Sequence, residues 1–137
     1  MPTFSILALG GDGIGPEFLA AGLSVAEAAC RGTDLRLEVS EDLLHGAAWE
    51  AYGTFCRDET LAAAEAADAV LVGAVGGPEW DDLHVAGGPE MQDGLMRLRK
   101  ALDSYVGLRP ARSWKAPRSR SGRSLRTSHP APRSSSR

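Results

Sequence analysis

"LALGGDGIGPE", residues 7–17, sets four glycines and a proline behind a short apolar run. The wider stretch "TFSILALGG" (3–11) reads as a buried strand closed by glycine. Pro16 suits the first turn of a helix, where its missing N–H costs nothing, and Glu17 suits that helix's positive end. Strand, glycine turn and helix in this order invite a test against the dinucleotide fingerprint G-x-G-x-x-G. Gly11-Asp12-Gly13 begins it, but position 16 is proline, and the registers from Gly10 and Gly13 fail as well. This is not a Rossmann fingerprint. Two readings of the turn stay open: an anion cradle at a helix N-terminus, or a tight connection that only glycine permits.

Outward from the turn, Leu19, Leu23, Ala26 and Cys30 recur at helical spacing, and Gly32 offers a stop. "DLRLEVSED" (34–42) alternates, with Leu35, Leu37 and Val39 opposite Arg36, Glu38 and Ser40, which predicts a half-buried strand near a sheet edge. "HGAAWEAYG" (45–53) predicts one or two helical turns ended by Gly53. A further helix is predicted over 58–67, capped by Asp58. "DAVLVGAVGG" (68–77) predicts a second apolar strand, followed by a Gly/Pro/Asp-rich loop (76–90). A helix over 91–103 and a strand over 104–112 complete the pattern. Alternating strands and helices point to an α/β sheet with helical crossovers.

A chain of 137 residues with 43% apolar residues suits one domain with a modest core. No apolar stretch approaches the roughly 18 to 20 residues needed to cross a bilayer. The N-terminus lacks a basic region and a cleavage site, so a cytoplasmic location is expected. Cys30 and Cys56 stand far apart, without histidines at ligand spacing, and are expected to act as small buried apolar residues. His45, His84 and His129 likewise have no partners at metal or triad spacing and are given no role.

The net charge of −3 hides a split: residues 1–112 carry −10 and residues 113–137 carry +7. The second segment holds no acid and is mostly Ser, Arg and Pro, so it is expected to be a disordered tail beyond a partial domain spanning 1–112. Two origins are weighed for it. One is a shifted reading frame of a GC-rich gene. The other is a genuine basic arm on a non-catalytic binding protein that contacts nucleic acid, although no recognition motif accompanies it.

"LGGDGIGPE" (9–17), "AVLVGAVGGPEWD" (69–81) and "LMRLRKALDSYVGLRPAR" (95–112), in that order, strongly resemble the β-decarboxylating dehydrogenases. The details look most like the 3-isopropylmalate dehydrogenases, or a tartrate- or isocitrate-dehydrogenase-like relative. The resemblance implies the N-terminal part of that non-Rossmann α/β fold. It also implies NAD as cofactor, with Ile14 and the loop residues Gly77, Pro78, Glu79, Trp80, Asp81 and Glu90 lining its pocket. Arg99 and Arg109 match the arginines that grip the substrate's carboxylates, and Leu95 matches the residue that meets its variable substituent. Arg99 has a physical case as well. It lies beside a stripe of Leu95, Leu98 and Leu102, whereas Arg97 falls nearly opposite Leu95, where a solvated charge belongs. The plain alternatives are a surface loop around a buried tryptophan and ordinary surface ion pairs.

The family's reaction oxidises a 2-hydroxy dicarboxylic acid and releases its β-carboxylate as CO₂, with Mg²⁺ or Mn²⁺ as Lewis acid. By the same resemblance, the tyrosine, the lysine, the metal-binding aspartates and a third arginine come from later in such a chain. A homodimer is implied for the complete enzyme. No catalytic or metal residue is therefore expected within this chain, which should be inactive by itself.

Overall fold

The computed structural model describes residues 2–111; the expected tail, and with it the +7 segment, lies outside them. The chain divides into two units, residues 1–107 and 108–137. In the first unit, β1 (Thr3–Gly11) is followed by α1 (Gly15–Cys30), β2 (Arg36–Asp42), α2 (Gly46–Tyr52) and α3 (Asp58–Ala66). Then come β3 (Ala69–Ala74), the single turn α4 (Pro78–Asp81), a short 3₁₀ turn (Pro89–Met91) and α5 (Gly94–Ala101).

The three strands form one parallel sheet in the order β2-β1-β3, with Ile6 opposite Val39 on one side and Ala69 on the other. β1 is the middle strand and is buried on both faces, which explains its nearly continuous apolar run. Leu7 and Leu9 join Leu44, Cys56, Ala64 and Leu98 in the main core. Ala8 points the other way, towards Leu19 and Leu23 of α1. At the far end of the sheet the Ser5 backbone N–H and hydroxyl both donate to the Asp68 carboxylate, at 2.8 and 2.9 Å. That clasp starts β3 and holds the Asp68 carboxyl below its ordinary pKa.

Most of the predicted elements form, and the departures have local causes. Asp58 is the first residue of α3 and makes no capping hydrogen bond; Arg57 holds the cap position. The loop 76–90 contains α4, which Pro78 opens. The helix predicted over 91–103 is shorter because the Asp93 carboxylate caps it, accepting from the Leu95 and Met96 N–H groups. Residues 104–107 form no strand, and Tyr105 and Val106 are exposed. A strand exists only through pairing, and no described strand edge pairs with this segment. In the second unit, residues 108–111 also lack regular structure. Among the described residues, no helix is long and apolar enough to cross a membrane.

Candidate functional site

In an open parallel sheet, ligands bind outside the carboxyl ends of the strands, where neighbouring connections leave in opposite directions. The order β2-β1-β3 places that divide between β1 and β3. Here the carboxyl ends of the two strands touch: the Asp12 N–H donates to the Ala74 carbonyl at 2.7 Å. Gly11 adopts φ +73°, and a Cβ on it would lie 2.0 Å from the same carbonyl oxygen. The opening glycines therefore make a tight connection that brings the start of α1 against the end of β3. Gly76 (φ +106°) carries the chain away from β3 into α4.

One carboxylate binds these loops together. Asp12 Oδ2 accepts from the Gly76 N–H at 2.8 Å and lies 2.7 Å from His45 Nδ1, while Oδ1 accepts from the Ala47 N–H at 2.9 Å. Both side chains of the pair are at most 10% exposed. His45 itself stands at φ +58° and ψ −127°, a conformation costing a non-glycine residue about 1–3 kcal/mol. Its N–H donates to the Phe55 carbonyl at 2.7 Å, and its ring lies 4.8 Å from that of Phe55. So a residue given no role in the sequence is a buried partner of the glycine turn. Its partner is distant in the chain, and no spacing rule shows the pair.

Trp80 of α4 rests on Gly46, where a Cβ would come within 2.3 Å of the indole. Gly46→Ala is expected to displace Trp80. Stability should change by less than about 1 kcal/mol, because alanine's helix propensity offsets the lost contact. A red-shifted Trp80 emission, with Trp49 and Trp114 replaced by phenylalanine, would report the displacement; an unmoved spectrum would contradict the contact.

The other predicted residues occupy distinct places. Ile14 is the cap residue of α1 and is exposed. Gly77 precedes α4, in which Pro78, Glu79 and Asp81 are exposed and Trp80 is half-buried. Glu90 falls in the 3₁₀ turn. On α5, Leu95 is half-buried and Arg99 is exposed, with no carboxylate partner among the described residues. Arg109 is exposed in the second unit.

Arg97 departs from expectation. Its guanidinium donates to the Cys56 carbonyl and to Asp58, and its side chain is only 20% exposed. The reason is the seat of α5. Gly94 lies against the Phe55 carbonyl, which a Cβ would approach to 2.4 Å, so the buried face centres on Gly94 and Leu98. That rotation carries Arg97 inward, leaves Leu102 exposed and places Arg99 on the outer side.

A cavity of about 390 Å³ lies between α1 and the end of β2 and contains none of the predicted site residues. Its lining is apolar apart from Glu41 and Asp42, and Asp42 is committed to Arg57 and Thr60. Cys56 is buried, and burial pushes its thiol pKa up, as suits a core residue. Among the described residues no cluster of three or more His, Cys, Asp or Glu is disposed to hold a metal ion.

The sequence profile of the isocitrate/isopropylmalate dehydrogenase family matches residues 5–127, running past Arg112. The 3-isopropylmalate dehydrogenase of Cereibacter sphaeroides is 48% identical over 116 residues, which is 85% of this chain and 31% of that protein. Its counterpart from Xylella fastidiosa strain 9a5c is 50% identical over 106 residues, 77% of this chain and 29% of that protein. The chain thus spans less than a third of the length of these curated relatives. Among solved structures, a β-decarboxylating dehydrogenase from Thermococcus kodakarensis superimposes with a TM-score of 0.52 at 28% identity, covering 73% of this chain and 27% of that one.

Proposed function

Because the chain belongs to the isocitrate/isopropylmalate dehydrogenase family, we propose that it is the N-terminal segment of an NAD-dependent β-decarboxylating dehydrogenase. Its substrate is a 2-hydroxy dicarboxylic acid of the 3-isopropylmalate type, which places the complete enzyme in leucine biosynthesis. The supporting observation is the 48% identity to a 3-isopropylmalate dehydrogenase across 85% of the chain. The complete enzyme is a cytoplasmic homodimer.

The crevice at the ends of β1 and β3 suits NAD because Gly13 and Gly76 leave open space where a Cβ would stand, so that backbone can approach a ligand closely there. The cofactor, when bound, supplies the acceptor for the substrate's hydride. The chain's own residues bind and orient. Ile14 and residues 77–81, with Glu90, form the walls of the cofactor pocket. Arg99 and Arg109 hold carboxylates through paired N–H donors, a geometry that lysine cannot reproduce. Leu95, one residue in from Arg99 on the helical wheel, meets the substrate's apolar substituent.

The proton-transferring tyrosine and lysine, the metal-binding aspartates and a third arginine belong to the remainder of such an enzyme. The 137-residue chain is accordingly inactive alone. The test is to sequence gene and transcript from the Leu95 codon to well beyond Arg137, then assay any longer product for NADH formation with 3-isopropylmalate and Mg²⁺. A longer frame should supply the missing residues and turn over, and Arg99→Ala in it should lower kcat/KM by about 100-fold. Turnover by the 137-residue chain alone would overturn the inactivity. A longer product that oxidises no 2-hydroxy dicarboxylate would overturn the substrate class.

A further inference from the structure

We infer that Asp12 is a positioning residue that sets the β3–α4 loop and the start of α2 against the glycine turn, so that both walls of the crevice are in place before a ligand arrives. Its buried carboxylate meets three donors from two chain segments: the His45 ring and the Ala47 N–H at the start of α2, and the Gly76 N–H after β3. The two segments are remote from each other and from the turn in sequence, and Asp12 reaches both from the middle of the turn. A carboxylate suits this task because its two oxygens can accept all three bonds, and hydrogen bonds to a charged acceptor are the stronger kind.

His45 supplies independent support. Its left-handed backbone persists only where surroundings over-determine it, and Asp12 is one of the groups that do so. The bonds from Asp12 also bear directly on the proposed cofactor loop, since Gly76 immediately precedes Gly77 and α4. Trp80 completes the connection by resting on Gly46, between His45 and Ala47. The role in cofactor binding rests on the reading of residues 77–81 as the NAD loop; the role in holding the loops does not.

Amide hydrogen exchange on the full 137-residue chain, with parallel NAD titrations, separates the two. In Asp12→Ala, residues 46–48 and 75–77 should exchange at least tenfold faster, while Leu7–Leu9 in the β1 ladder keep their rate. NAD should bind about tenfold more weakly to this variant. His45→Gly accommodates the left-handed backbone and leaves the Ala47 and Gly76 bonds intact, so residues 75–77 should exchange as in the parent. Asp12→Asn keeps one oxygen acceptor and should loosen either 46–48 or 75–77 while sparing the ladder, which gives a readout if the alanine variant does not fold.

Unchanged exchange in both loops of Asp12→Asn, or equal loosening of the ladder, would overturn the positioning role. So would loosening of 75–77 in His45→Gly to the extent seen in Asp12→Ala. If the parent binds NAD and Asp12→Ala binds it equally well, the link to the cofactor is wrong. If the parent binds no NAD, the cofactor reading fails, and the exchange rates alone decide whether Asp12 holds the loops.

Discussion

Gly15→Ala should destabilise the chain by about 3 kcal/mol, more than most single-methyl insertions. A Cβ at this position would lie 2.1 Å from the Gly10 carbonyl oxygen and 2.7 Å from the backbone N and O of Ala74. All three atoms belong to the two strands that meet beneath α1, so no side chain can swing aside to make room. The contact is reciprocal: a Cβ on Gly73 would come within 2.2 Å of the Gly15 carbonyl. Relief requires α1 to lift from the β1–β3 junction and take the glycine turn with it. Urea unfolding measures the loss, and Gly13→Ala is the control. Gly13 has φ +52° but open space around its Cβ, so it should cost only about 1 kcal/mol. Equal effects at the two positions would show that backbone conformation, not helix–strand contact, governs this turn.

Arg57→Met should destabilise the chain at neutral pH and progressively less in acid. The Arg57 Nη2 donates to both oxygens of Asp42, at 2.9 and 3.0 Å, and its guanidinium lies 4.0 Å over the Tyr52 ring. Thr60, fully buried, donates its hydroxyl to Asp42 Oδ2 at 2.6 Å, and the Leu43 N–H donates to Oδ1 at 2.8 Å. Burial opposes ionisation of Asp42. The bonds from Thr60, Leu43 and Arg57 outweigh it and hold the carboxyl below its ordinary value of 3.8.

A depressed carboxyl pKa stabilises the fold fully above the unfolded value. That contribution is lost as pH falls from 3.8 through the folded value. The stability difference between parent and Arg57→Met should therefore narrow over that acid window. Unfolding curves at a series of pH values test this, and a difference that stays constant into acid would show that the lost packing on Tyr52 matters more than the ion pair.

The order of strands and helices was legible because each element carries a local signal. β1 is an apolar run ended by glycine, β2 alternates, and α1 repeats its apolar residues at helical spacing after Pro16. Such patterns reflect how much of each element is covered, and coverage recurs with the element's own period. The three blocks that resemble a known family were legible for the same reason: they are contiguous. The strand predicted over 104–112 failed, at least through residue 111, because apolar residues alone do not make a ladder.

Read from residue types and spacing, the sequence supports an α/β fold, a glycine turn that is not a Rossmann fingerprint, and an arginine-bearing amphipathic helix. Tertiary packing determined how that helix is turned. Gly94 seats α5 against the Phe55 carbonyl, which buries Leu98, brings Arg97 to Asp58 and leaves Arg99 outside. Packing also determined that the Asp12 carboxylate gathers His45, Ala47 and Gly76. Periodicity shows that a face is apolar, but the rotation of that face and the convergence of distant polar groups depend on close contacts between backbones. Those contacts are made by glycines whose partners lie far away along the chain, and no local pattern names them.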